Sequence, residues 1–426
     1  MPEHIAPTHV KSTLCVLIAV AVAAVSPCQA QSAAPASLTL PLVYSTTPMT
    51  RNADLMLSAS ILSTSISEAG LAKLSPSLFR STRRSARVAR AAKLALLDVP
   101  IVNYFQTLNH EWGHMTRATE YGVDSALSFV GTPWSSQQFA VGPVGERPPE
   151  HHPLEDAAIQ GGGLDASLVL KDRAESKMLR AERVPPGHAL AAIISSIDVP
   201  MYSLLHLSAE DFYPGLFGDY YPGGDAANLV LDLFNRRRAV GPANLDSIRR
   251  QVRTRSVLNL LDAALWSEAV GVLSDHVWSG APDVRIRWLH VGGVRVLPSV
   301  RYELSPFGPE YHVRSHYRAL GAIGSVYGRW TERIGADRQV GGGFSWSRWS
   351  TPGFVPKVSP TLTMDAWSHT VHGFGMRGEV GADVRGWPAE RAALTVTVGA
   401  KSFGHLPGFP MDRGAYINGG LTLKVW

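Results

Sequence analysis

The chain has 426 residues, 45% of them hydrophobic and 18% charged. That balance excludes a disordered chain, and the length allows two domains and a sizeable core. The formal net charge of +5 is carried by scattered arginines rather than a basic tract, so nothing points to nucleic acid as a partner.

The N-terminus reads as an export signal. Lys11 precedes an apolar run over 14–25 (LCVLIAVAVAAV), too short to span a bilayer comfortably. Ser26-Pro27 and Cys28-Gln29-Ala30 follow, with small residues at the outer positions of a cleavage site. Residues 1–30 are therefore expected to be removed, leaving Gln31 as the first mature residue. Cys15 and Cys28, the two cysteines, both fall in this segment. The mature chain would have no disulfide and no thiol ligand, so any metal site must be built from histidine and carboxylate.

Residues 31–53 read as a linker or extended arm. Residues 54–74 and 84–97 have helix-like composition, and the basic stretch 80–90 (RSTRRSARVAR) reads as a solvated helix face. Pro100 suits the start of the next helix. That helix, 101–121, has an apolar side at Ile101, Val102, Phe105, Leu108, Trp112 and Met115, and Tyr121-Gly122 can stop it. Asn103, Gln106, Asn109 and Glu111 interrupt it too often for a membrane span.

Inside this helix stands His110-Glu111-Trp112-Gly113-His114. Residues four apart share a helix face, so His110 and His114 can present two imidazoles to one metal ion with Glu111 beside them. The helix resembles that of the zincin metallopeptidases, over the length of this motif. The resemblance implies that His110 and His114 bind Zn2+ and that Glu111 is the general base for a metal-activated water. The longer metzincin motif would need glycine at 117 and histidine at 120, where this chain has Arg117 and Glu120. The gluzincin E-x-x-x-D pattern occurs at Glu120 and Asp124, across the helix stop, and at Glu379 and Asp383, in strand-like sequence. Neither fits that role, and the third ligand must come from elsewhere.

Residues 123–144 mix short β-like runs with glycine and proline. By the same resemblance they are the candidate strand lining a substrate cleft. After a proline-rich loop, the helical region 154–179 is expected to break at Gly161-Gly162-Gly163, which lets another backbone or a ligand come close. Asp165, just beyond the glycines, is the first choice for third ligand; it would equally serve as a helix cap. Glu155 and Asp156 are alternatives, with Asp198 and Asp225 behind them. Residues 188–207 form an apolar helix broken by Pro200, in which Asp198 and His206 read as satisfied core groups. The turn-rich stretch 212–225 offers Tyr220 or Tyr221 as an oxyanion donor. Residues 226–238 and 245–278 look helical.

Beyond 279–282 period-two alternation takes over. Val296, Val300, Tyr302 and Leu304 oppose Arg295, Ser299, Arg301 and Glu303; Met376, Val380, Ala382 and Val384 oppose Arg377, Glu379, Asp383 and Arg385. Strands are expected at 294–304, 310–319, 321–331, 338–349, 357–367, 375–385, 393–402 and 416–426. The last ends on Trp426 and resembles the final strand of bacterial outer-membrane β-barrels. That resemblance implies a small barrel with the apolar set toward lipid, the charged set toward the lumen, and Trp330, Trp349, Trp367, Trp387 and Trp426 in interface girdles. A soluble β-sandwich is the alternative.

The expected fold class is α+β in two domains: a mostly helical zincin-like domain over 54–280, then an antiparallel β-barrel of about eight strands over 284–426. The expected function is an exported zinc-dependent hydrolase, a peptidase of the bacterial envelope acting on polypeptide or peptide. Its β domain would meet outer-membrane lipid, with the helical domain in the periplasm. The alternative is a non-enzymatic outer-membrane structural or binding protein with a vestigial metal site.

Overall fold

The computed structural model describes residues 37–40, 47–79, 81–135, 138–143, 153–181, 183–207, 224–236, 242–319, 321–332, 338–348, 357–386 and 392–424. The export signal and Tyr220, Tyr221, Trp349, Trp387 and Trp426 lie outside the described residues.

Proline opens most of the long helices. It stands in the first turn of α1 (Pro48–Leu74), α3 (Val99–Glu120) and α5 (Pro186–His206), where its missing N–H costs nothing. Between α1 and α3 lies α2 (Arg84–Lys93), which reaches α3 through a wider turn at Leu94–Asp98. A hairpin, β2 (Ser125–Val130) with β3 (Gln138–Pro143), packs on α3. Then comes α4 (Pro153–Ala181), the longest helix described. It runs unbroken through Gly161, Gly162 and Gly163, contrary to the expected break. Gly162 and Gly163 face α3, and a Cβ on Gly162 would stand 2.7 Å from the Gly113 carbonyl oxygen. Close backbone packing thus offsets the poor helix propensity of glycine, about 1 kcal/mol each. Pro200 likewise lies inside α5 without ending it.

Three shorter helices follow: α6 (Asp225–Arg236), α7 (Pro242–Ser256) and α8 (Ala263–Gly271), the last continuing as a wide turn over Val272–Trp278. Asp262 caps α8 by accepting from the Ala264 backbone N–H at 3.0 Å. Between helices and sheet, β4 (Arg183–Val184) pairs with β5 (Val284–Arg285).

All eight expected strands form, each with ends within two residues of expectation. They are β7 (Val294–Ser305), β8 (Gly308–Ala319), β9 (Ala322–Thr331), β10 (Gln339–Arg348), β11 (Lys357–His369), β12 (Gly373–Gly386), β13 (Ala392–Lys401) and β14 (Gly414–Lys424). Gly292 and Gly293, at φ 53° and 82°, make the tight turn joining a short β6 (Leu289–Val291) to β7. At the other edge β1 (Ser37–Leu40) pairs with β14, Leu38 opposite Leu423. The result is one antiparallel sheet of ten strands, ordered β1-β14-β13-β12-β11-β10-β9-β8-β7-β6. The sheet does not close on itself among the described residues. Within 31–53, expected as a linker or extended arm, Ser37–Leu40 is the extended edge strand and Pro48 begins α1.

The two faces of the sheet are unlike. Arg301, Glu303, His312, His316, Arg329 and Asp383 are buried against the helices, while Val313, Val326, Val340, Val380, Val396 and Val398 are exposed. Helix α4 lies along the charged face: Asp172 pairs with Arg301 at 2.7 Å and Arg314 at 2.9 Å, and Arg180 with Asp383 at 2.6 Å. The apolar core sits in the helical layer, where Leu57, Ile61, Val102, Leu170 and Leu190 meet. A second cluster covers the end of β7, so Tyr302 and Leu304, assigned to the apolar face, are buried under Leu229, Leu245 and Val252.

Candidate metal centre

Helix α3 is fixed against α4 before any metal is considered. Gln106 donates to Ser167 Oγ at 3.0 Å and Asn109 to the Ala166 carbonyl at 2.8 Å. Gly113 lets the backbones touch. This presses the His110 and His114 face of α3 onto the Gly161–Gly163 turn of α4.

The two rings are oriented from behind. His110 Nδ1 donates to Asp198 Oδ2 on α5 at 3.0 Å, and His114 Nδ1 to the Ile159 carbonyl on α4 at 2.7 Å. Both Nε2 atoms therefore point forward, and both meet Asp225, the first residue of α6. Its Oδ2 lies 2.7 Å from His110 Nε2 and 3.1 Å from His114 Nε2. Gly224, at φ +139°, turns the chain so that Asp225 reaches the rings; a Cβ there would strike His206. Tyr202 stacks on the His110 ring with centroids 4.8 Å apart.

Burial and charge compete here. Burial opposes a charge on His110, but Asp198 and Asp225 outweigh it and hold the ring well above the usual histidine range. His114 is raised by Asp225 against the same penalty. Burial would lift Asp225, yet the two rings pull it far below the usual carboxylate range. For Glu111 burial wins: its carboxyl is raised, with the rings of His114 and His110 pulling against.

The arrangement fits a divalent metal on three counts. The ligand atoms of His110, His114 and Asp225 lie within 4.8 Å of one another. Buried His114 Nε2 has no hydrogen-bond partner of acceptable geometry, although Asp225 is near. Gly163 leaves a space in front of the rings that a Cβ would fill, 2.5 Å from His114 Nε2. Two imidazoles and a carboxylate are a zinc donor set, and each ring has the second hydrogen bond such ligands carry.

Asp165, the expected third ligand, is engaged elsewhere. It points away from the rings and bridges Arg117 Nη2 at 2.7 Å and His405 Nε2 at 3.0 Å. Two positions beyond Gly163 on a helix turns it to another side. Glu155 and Asp156 lie in the first turn of α4, outside the cluster. Glu120 pairs with Arg117 at 2.8 Å. Glu379 accepts from Tyr416, and Asp383 pairs with Arg180. The carboxylate that meets both rings is Asp225, which sequence reasoning held only in reserve; Asp198, read as a satisfied core group, is buried and accepts from His110, whose ring it orients. One signal was present: Asp198, Tyr202 and His206 recur every four residues and so share the α5 face nearest the site.

Comparison with protein-family models, curated proteins and solved structures finds no match to the chain.

Proposed function

We propose that this protein is a zinc-dependent hydrolase of the bacterial outer membrane, acting on polypeptides. The observation that carries the reading is the convergence of His110 Nε2, His114 Nε2 and Asp225 Oδ2, with Glu111 in the same helical turn. Zinc held by these three would supply a Lewis acid for a carbonyl and lower the pKa of a water. Glu111 takes the proton from the attacking water and returns it to the leaving amine. Its burial, which raises the carboxyl above the usual range, suits both halves of that task. Asp198 and the Ile159 carbonyl hold the rings in the tautomer that leaves Nε2 free. The β2–β3 hairpin is a two-stranded sheet packed on α3, so it has an edge that an extended peptide can join.

The exposed apolar face of the sheet supports the membrane part of the reading. A sheet in water buries its apolar face and exposes its charges; this one does the reverse.

The test is metal analysis of the purified mature chain, with peptide hydrolysis measured alongside. Wild type should hold one zinc and cleave; Glu111→Gln should hold zinc and not cleave, because the amide cannot accept a proton at neutral pH. A wild-type chain without zinc after loading and dialysis removes the reading. Turnover by metal-loaded Glu111→Gln removes Glu111 from the role of base.

A further inference from the structure

Among the described residues the sheet has two edges, β1 and β6, and hydrocarbon does not tolerate unpaired strand edges. Taking the sheet to lie in a bilayer, as proposed above, something must cover those edges at bilayer depth. Helix α1 lies along the edge strand β1, and at the other end of the sheet α8 lies along β7, the neighbour of the short edge strand β6. Helices thus stand beside both ends of the sheet.

Those helices repeat the inversion seen in the sheet. In the segment 84–99, Val88, Ala91, Ala92, Ala95, Leu96 and Val99 are exposed, at the spacing of one helix stripe. Beyond the first turn, Arg90, Lys93 and Asp98 of the same segment point inward: Arg90 donates to the Val277 carbonyl at 3.0 Å, and Lys93 pairs with Asp98 at 2.7 Å. In the segment 263–278, Trp266, Val270 and Leu273 recur at intervals of four and three and are exposed, with Trp278 beyond them. Leu96 is 66% and Leu273 58% exposed, as open as Val380 on the sheet at 59%. Scattered exposed leucines are ordinary; two adjoining stripes with their charges turned inward are not.

The two stripes join. Arg90 ties α2 to the end of the 263–278 segment, and Arg87 lies over the Trp278 ring at 3.9 Å. Exposed Arg83 and Arg84 stand at the start of the α2 stripe, where side chains with long apolar stems reach a phosphate layer.

We infer that the helical half of the molecule faces lipid as well: the stripes at 84–99 and 263–278 continue the apolar surface of the sheet, and their occupant is the acyl-chain phase of the bilayer. The lipid-facing wall is composite, strands on one side and helices on the other, rather than a closed barrel carrying a helical domain in the periplasm.

Single cysteines placed in a Cys15→Ser, Cys28→Ser background and spin-labelled test this in the full chain. The sites are Leu96 and Leu273, with Val380 reporting on the sheet and exposed Arg250 on water. The protein is reconstituted in vesicles of phosphatidylethanolamine and phosphatidylglycerol. Labels at Leu96, Leu273 and Val380 should collide more with oxygen than with a water-soluble nickel chelate, and Arg250 should show the reverse. Oxygen preference at Val380 alone, with chelate access at Leu96 and Leu273, overturns the inference and leaves the membrane reading of the sheet intact. Chelate access at Val380 as well overturns both. Labels at Leu96 and Leu273 shielded from both reagents indicate a protein cover, such as a second copy, and also overturn it.

Discussion

Asp165 and Asp225 are both buried carboxylates beside α3, and their partners separate their roles. Asp225 faces two histidine nitrogens; Asp165 faces a guanidinium and His405. Asp225→Ala should therefore abolish zinc binding in metal analysis, whereas Asp165→Ala should keep zinc and lower stability. Removing Asp165 leaves Arg117 buried with Glu120 and the Phe409 carbonyl as its partners among the described residues. A loss of about 3 kcal/mol in a denaturant titration is expected, at the low end for a broken buried pair because those partners remain. Asp198→Asn should weaken zinc by about 10–100-fold without removing it, as loss of a ring orienter does; unchanged affinity would take Asp198 out of that role. The histidine pair was legible because it needs only the local geometry of one helix. Asp225 was not, because it arrives from 115 positions beyond His110, and its approach depends on the φ of Gly224 and on how α5 and α6 pack.

At the scale of elements, the strands were legible for a simple reason. Period two is local, and the strands from β7 to β14 alternate a more polar face with a more apolar one. The glycines of α4 misled, since a run of three reads as a break when only propensity is weighed. What overrides propensity is tertiary: Gly162 lies against the Gly113 backbone and Gly163 against the rings. Two substitutions follow with opposite readouts. Gly163→Ala should lose zinc, because the new Cβ would overlap the His110 and His114 rings; the helix-propensity gain of up to about 1 kcal/mol is offset by that overpacking. Normal far-UV circular dichroism with no bound metal is the expected pair of results. Gly113→Ala should instead destabilise by about 1–3 kcal/mol, as overpacking does, since its Cβ would stand 2.7 Å from the Gly162 carbonyl carbon and push α3 from α4. A Gly163→Ala protein that binds zinc as wild type does would show that the space is not needed.

For the whole molecule, the sequence carried the alternation but not the closure. Which strand pairs with β14, and what lies along β7, are contacts between distant segments, and β1 is too short to announce itself. The inverted sheet nonetheless makes a prediction whose sign depends on the solvent. Val380 sits mid-strand on β12, opposite Val398 on β13, with its side chain on the exposed face. If that face meets lipid, Val380→Arg should impair insertion by about 2–4 kcal/mol near the midplane. If it meets water, the same change adds a charge to an exposed surface and should alter stability by no more than about 0.5 kcal/mol. Arg377 points to the other face and pairs with Asp365 at 2.6 Å, so Arg377→Val disturbs an internal ion pair and should leave insertion closer to wild type. Cell fractionation reads the difference: wild type and Arg377→Val in the membrane pellet and released only by detergent, Val380→Arg depleted from it. A wild-type chain that stays soluble and monodisperse without detergent would require the apolar face to be covered by protein, and the membrane reading would be abandoned.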